Sequence, residues 1–414
     1  MTRCNLIIVL LLVGTLKNVY GQRDKEIPPP GDLHGGALNV AAPTLPVPSG
    51  PFGIGRIGYE WIDTSRPDTY SATPDAHRDL MVYLWYPAPR ADTGRTAPYL
   101  PGAKQMDANP EVQRRVGDAF GPGWKLIVSG DLVTHAVENA PAATSPEHFP
   151  VVLFSHGLGS MGFAYTSLIE DLVSHGYVVA SIEHTYTAMA VVFPDGRVVP
   201  FHQDAGPMQA SAGLVITEGA RDVAFVLSKL TEMNGQKSHA FALGGRLDVD
   251  RVAAMGHSSG GAFATLACQM VQRFKACISL DGALPPVAAF PEYGKGFTQP
   301  VLLLEIDHAG QRRGFDAAQE AEYMKKKEAQ LNACPIGSYD VVLKSAGLNH
   351  GSFSDVPLLF ANGKKAETGE ALYNLRATQA FTRAFLDKYL THDAGGLFDD
   401  PSEYPGTVVK PYGH

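Results

Sequence analysis

Alternating strand and helix patterns predict an α/β protein: one domain on a mostly parallel central sheet, helices on both faces and leading antiparallel strands. Three observations carry that expectation. From Pro150 onward, short runs such as PVVLF and YVVAS are continuously apolar rather than alternating, which marks strands covered on both faces. Between them lie stretches with apolar residues at helical intervals, some stopped by glycine. Upstream, GRIGYEWID and DLMVYLWYPA are rich in alternating aromatic and β-branched residues, as antiparallel strands are.

The elements follow in chain order. Arg3 precedes an apolar run from Leu6 to Gly14, shorter than the roughly 20 residues a helix needs to cross a bilayer. We expect a secretory signal over 1–21, cleaved near Gln22, and hence a secreted or periplasmic protein. Residues 22–50 hold EIPPPGDLHGG and PTLPVPSGP, without helical or strand period, and read as a tether. The single α/β domain then occupies 51–414. Its 96–150 segment is less regular, with one helical candidate after Asn109 and Pro110 whose Val112, Val116, Ala119 and Phe120 share a face. We read that segment as a lid or surface excursion. PVVLFSHG, AYTSLIEDLVSHG and YVVASIEH form a βαβ unit, AVVFPDGRVVPF a hairpin turning at Pro194-Asp195-Gly196, and SAGLVITEGARDVAFVLSKLTEM a long helix. RVAAMG is a strand followed by a helix. ACISLDG, PVLLLEIDH and YDVVLKSAG are further strands, with helices near Phe315–Gln330 and Glu370–Leu390.

Composition limits the function classes. The 414 residues are 45% hydrophobic and 18% charged, which suits a large core and excludes a disordered or fibrous chain. The net charge of −8, from 34 basic and 42 acidic residues, comes with no long basic stripe, so no nucleic-acid partner is expected. Lys325, Lys326 and Lys327 precede Glu328 in a helical context and read as a solvated face. Cys4 leaves with the signal, so Cys268, Cys277 and Cys334 remain, an odd number. One disulfide with one buried thiol, and buried thiols only, both stay open. No spacing suggests a metal site.

Chemistry concentrates at MGHSSGGA, Met255 to Ala262. Read as G-x-S-x-G between Gly256 and Gly260, it centres Ser258 between a strand and a helix, the setting of a nucleophile elbow. Ser259 is out of register as a nucleophile. A serine hydroxyl needs a base and the base an orienting carboxylate, in the chain order Ser, acid, His on this kind of fold. His350, in KSAGLNHGSF after the final expected strand, fits the base; His308, His392 and His414 are weaker candidates. For the acid, Asp281 and Asp307 both end strands, and spacing leaves the choice open. FSHGLGSMG resembles a loop that gives one oxyanion donor, the Leu158 N–H, with Ser259 N–H as the second. His156 reads as structural within that loop and His257 as packing at the elbow. His184, ending the SIEH strand, and His257 are candidates for the substrate pocket.

Together FSHGLGSMGFAYTSLIEDLVSHGYVVASIEH, GHSSGG, ISLDG and NHGSF resemble the secreted platelet-activating factor acetylhydrolases, the group VII phospholipases A2, and their bacterial dienelactone-hydrolase-like relatives. The likeness runs from about Pro51 to Leu390. It implies the α/β-hydrolase fold, Asp281 as the acid, oxyanion donors at Leu158 and Ser259, no cofactor or metal, and an ester or phospholipid substrate. It also implies peripheral contact with a lipid surface, which the Val112 to Phe120 stripe echoes faintly. Two departures stand out: Ser259 replaces a bulky residue of the animal enzymes, and Ser258 replaces the cysteine of true dienelactone hydrolases. The expected activity is therefore serine carboxylic-ester hydrolysis (EC 3.1.1) through an acyl-enzyme, on short-chain or oxidised acyl esters. The alternatives are a lipase- or cutinase-like polyester hydrolase, and a catalytically silent binding protein on the same scaffold.

Overall fold

Strands whose residues are apolar at every position need cover on two sides, and the chain supplies it. The computed structural model describes residues 44–71, 73–90, 94–120, 123–202, 212–236, 243–282, 284, 297–308, 316–345, 347–360, 365–393 and 395–413. The expected signal and residues 22–43 of the expected tether lie outside them. The strands are β1 (Gly53–Pro67), β2 (His77–Ala88), β3 (Thr96–Pro98), β4 (Val133–Glu138), β5 (Phe149–Ser155), β6 (Val178–Glu183), β7 (Ala190–Val192), β8 (Val198–Pro200), β9 (Leu247–His257), β10 (Ala276–Leu280), β11 (Val301–Ile306), β12 (Ser338–Leu343) and β13 (Val408–Tyr412). All but the β7–β8 hairpin join one sheet in the order β13-β12-β11-β10-β9-β5-β6-β2-β1-β4-β3. From β6 to β12 every neighbouring pair is parallel. β1 and β2 pair antiparallel and join β6 antiparallel, as the leading strands predict.

The helices are α1 (Ala103–Ala108), α2 (Pro110–Phe120), α3 (Gly123–Val128), α4 (Thr166–Ser174), α5 (Ala212–Gly235), α6 (Ser259–Met270), α7 (Ala317–Asn332), α8 (Val356–Phe360) and α9 (Lys365–Leu386). Period-2 alternation divides each parallel strand between two cores. Val152, Phe154, Met255, Ile278 and Leu302 pack with α4 and α9 side chains such as Leu168, Leu172, Phe381 and Phe385. Val151, Leu153, Ala254, Val301 and Leu303 face the other way, onto Val223 and Leu227 of α5 and Phe263 and Leu266 of α6. All seven residues of β5 and all six of β6 are therefore buried.

The 96–150 segment is built into this frame. β4 pairs with β1 and β3 with β4, which extends the sheet at that edge. Asn109 caps α2, its side-chain oxygen accepting from the N–H groups of Glu111 (3.0 Å) and Val112 (3.1 Å). Val112 and Val116 are fully buried in the α4-side core, so that stripe faces inward and, at these two positions, offers nothing to a lipid surface. The end of the expected tether is also packed: Leu45 is buried, and Ser49 Oγ donates to Asp171 Oδ1 (2.7 Å). Cys268 and Cys277 form a disulfide between α6 and β10, while Cys334 is a buried thiol, pushed up to about 12 by burial. Among the described residues no helix is long and apolar enough to cross a membrane.

Candidate active site

Parallel strands that end together put the residues that follow them on one edge, and here β9, β10, β11 and β12 are consecutive parallel neighbours. Ser258 stands between β9 and α6 with φ 57° and ψ −120°, a left-handed φ that costs a residue carrying a Cβ. Its neighbours hold it there. The Ser258 N–H donates to Leu280 O (2.9 Å), and Ser258 O accepts from the Gly261 N–H (3.1 Å). The motif glycines are required by close approach: a Cβ at Gly256 would lie 2.2 Å from Gly260 O, and one at Gly260 2.2 Å from Ser155 O. Ser259 opens α6 with its hydroxyl buried and without a hydrogen-bond partner among the described residues, so only Ser258 presents a side chain to the edge.

His350 follows β12 in a short 3₁₀ turn, His350–Phe353. Asn349 and Ser352 cap that turn reciprocally: Asn349 Oδ1 accepts from Gly351 N–H (2.9 Å), and Asn349 N–H donates to Ser352 Oγ (3.0 Å). The NHGSF stretch thereby fixes the imidazole's backbone. His350 Nδ1–H donates to Asp281 Oδ2 (2.6 Å), which leaves Nε2 to accept from the Ser258 hydroxyl at 2.8 Å. Asp281, directly after β10, also accepts at Oδ1 from His308 Nε2–H (2.6 Å). Burial works to raise its pKa, but hydrogen bonds from His308 and His350 outweigh it and hold the carboxyl well below the usual range. Asp307 turns elsewhere, pairing with Lys344 Nζ at 3.1 Å. His308, ranked below His350 because it lies directly after another strand, is thus a second imidazole on the same carboxylate.

The Gly157–Leu158 turn lies against the elbow. A Cβ on Gly157 would stand 3.3 Å from Ser258 Cβ. Gly159 N–H donates to Thr187 O (2.8 Å) and Ser160 N–H to Gly157 O (2.9 Å), which pins the loop. His156 Nε2 accepts from His184 N–H (3.2 Å) and Nδ1–H donates to Gly157 O (2.8 Å). Burial pushes this imidazole down to about 3, so it braces the loop as a neutral group.

The two histidines expected at the pocket are both buried. His184 is fully buried: its Nδ1–H donates to Asp222 Oδ2 (2.9 Å) and its Nε2 accepts from Ser155 Oγ–H (2.9 Å). Ser155, His184 and Asp222 thus repeat a Ser-His-Asp arrangement with no solvent access. Arg66 and Arg78 both pair with Asp222 there, making a structural junction between β1, β2, β6 and α5. His257 is buried too, with both ring nitrogens bonded to protein groups, Tyr165 Oη at 2.7 Å and the His350 carbonyl at 2.9 Å. It braces the His350 loop.

Residues 39–195 and 225–394 match the family described as platelet-activating factor acetylhydrolase, isoform II. A platelet-activating factor acetylhydrolase of Canis lupus familiaris is 28% identical over 237 residues, 51% of this chain and 51% of that protein, so the chain spans about half of that relative's length. A probable 1-alkyl-2-acetylglycerophosphocholine esterase of Arthroderma benhamiae is 26% identical over 389 residues, 88% of this chain and 93% of that one. A ferulic acid esterase from Streptomyces cinnamoneus superposes with a TM-score of 0.68 at 28% identity, over 89% of this chain and 99% of the other. Since the matched residues include the Gly157 loop, the elbow, the Asp281 strand end and the His350 turn, the chain belongs to the platelet-activating factor acetylhydrolase family, isoform II.

Proposed function

We propose that this protein is a secreted serine carboxylic-ester hydrolase of one catalytic domain, working through Ser258, His350 and Asp281. The observation that carries the reading is the 2.8 Å bond from Ser258 to His350 Nε2, at an elbow that is partly exposed while the rival Ser155 set is sealed. His350 takes the Ser258 proton as the hydroxyl oxygen attacks the ester carbonyl carbon, and Asp281 stabilises the imidazolium that results. The N–H groups of Leu158 and Ser259 hold the oxyanion, the latter at the N-terminus of α6. Collapse breaks the ester C–O bond, and the alcohol leaves with the proton from His350. Water attacks the acyl-enzyme with the same base, releasing the acid and restoring the serine. These steps use no cofactor or metal.

The substrate reading is short-chain or oxidised acyl esters, phospholipids included, supported by the names of the dog and fungal relatives. A second reading, hydrolysis of small aromatic acyl esters, is supported by the likeness to the ferulic acid esterase. An organophosphate should label the native protein covalently and leave Ser258→Ala unlabelled; an unlabelled native protein would sink the enzyme reading. Rates on p-nitrophenyl esters of rising length, a short-acyl phospholipid and methyl ferulate then separate the substrate classes. Steep loss beyond short acyl chains with no ferulate turnover supports the first. For secretion, the polypeptide recovered from the medium should begin near Gln22.

A further inference from the structure

The loop carrying the Leu158 N–H and the turn carrying His350 lie far apart in sequence, and one buried pair of side chains connects them. Gly157 N–H donates to Tyr165 Oη (3.3 Å), and Tyr165 Oη lies 2.7 Å from His257 Nδ1. On its other side, His257 Nε2 lies 2.9 Å from the main-chain oxygen of His350. A carbonyl only accepts, so Nε2 carries the proton and Nδ1 accepts from the Tyr165 hydroxyl. Every direction in the chain is then fixed: Gly157 N–H to Tyr165, Tyr165 O–H to His257, His257 N–H to His350. Burial pushes His257 down to about 3, with the neighbouring His350 adding to the effect, so the ring stays neutral and this pattern persists at working pH. Ring contacts support the same placement, with the His257 and His350 centroids 4.6 Å apart and Phe353 at 5.7 Å. His257 is also bonded to Ser258 through the main chain, and a Cβ at Gly157 would meet its Nδ1 at 3.3 Å.

We propose that Tyr165 and His257 are positioning residues that clamp the Gly157–Leu158 turn and the His350 main chain to Ser258, so that oxyanion donor, base and nucleophile keep one mutual geometry. This rests on the Ser258, His350 and Asp281 reading above. Neither side chain touches the reacting atoms; each acts through the group it holds.

Three conservative variants dissect the clamp. Tyr165→Phe deletes one hydroxyl and keeps the ring. His257→Gln keeps an N–H at the reach of Nε2, toward His350, while His257→Phe keeps only the ring. Turnover is measured per titrated active site, so that misfolded protein drops out. Small misplacements of reacting groups cost up to about a hundredfold, so Tyr165→Phe and His257→Phe should each lower kcat about tenfold or more and change KM by less than about threefold. Organophosphate labelling should slow in parallel, and His257→Gln should recover part of the loss. Combining Tyr165→Phe with His257→Phe should be no worse than the poorer single variant, because both break one chain of bonds. Variants that melt earlier but keep wild-type kcat per site, or losses that multiply in the double variant, would overturn the clamp. Ser258→Ala, run alongside, separates the two levels: its retaining turnover refutes the nucleophile and the clamp together, whereas an inactive Ser258→Ala beside fully active clamp variants refutes the clamp alone.

Discussion

A carboxylate held from both oxygens is a firmer anchor than one held from one. Asp281 Oδ2 accepts from His350 and Oδ1 from His308, each at 2.6 Å, and the Ile306 N–H adds a longer contact at 3.3 Å. The charge therefore stays on Asp281, hydrogen-bonded to both imidazoles, which is what the proposed role of orienting His350 requires. Asp281→Asn should lower kcat about ten-thousandfold, the scale of losing the correct tautomer. Asp307→Asn should cost little, since its Lys344 pair is near the surface and such pairs contribute at most about 1 kcal/mol. Steady-state kinetics on both variants checks the pair, and the reverse outcome would reassign the acid. Chain order marked Ser258 and His350. It left two aspartates because both end strands on one sheet edge, and which side chain turns inward depends on loops whose course no local pattern encodes.

At the scale of elements, the strand-to-helix turn stores strain for access. Ser258 keeps φ 57° only because β10 and the first turn of α6 bond its backbone, and the elbow leaves no room for a Cβ at Gly256 or Gly260. Replacing Ser258 by Gly should raise stability in urea by about 1 kcal/mol, at the low end of what a strained residue costs, while abolishing labelling. Ser258→Ala keeps the Cβ and should show no such gain. Gly260→Ala drives a methyl into the main chain of β5 and should cost about 2 kcal/mol or more, read from the shift in urea midpoint. Both glycines were visible as a motif; the atoms they must avoid belong to β5 and to α6 itself and appear only once the sheet has formed.

The whole molecule carries acidic groups whose proton affinity folding raises. Glu183, ending β6, accepts from Gly162 N–H at 2.8 Å, and burial raises its carboxyl from 4.5 to about 8. Burial likewise raises Asp355 to about 7. A folded pKa above the unfolded one means a contribution fully present below about pH 4.5 and lost as pH rises through about 8. For one such group the slope reaches about 1.4 kcal/mol per pH unit between those limits. Glu183→Gln keeps an acceptor for Gly162 and should flatten the stability curve between pH 5 and 8. Thermal melts across that range test it, and parallel curves for the two proteins would show that Glu183 does not titrate there. Neither group announced itself in the sequence, because an acidic residue next to a strand or helix is ordinarily solvated and only distant packing removes its water.

Local patterns were enough for the α/β class and the parallel core, and they singled out Ser258 and His350 as candidates. Periodicity and chain order are properties of neighbouring residues, so a sequence displays them directly. The family resemblance implied Asp281, and the tertiary structure brings that carboxylate rather than Asp307 to the imidazole and adds His308 to it. It alone joined Tyr165 and His257 to the His350 turn, and it buried the second Ser-His-Asp set. These outcomes depend on solvent access and on contacts between residues up to 93 positions apart. Both are properties of the assembled sheet and its cover, and no stretch of chain holds them by itself.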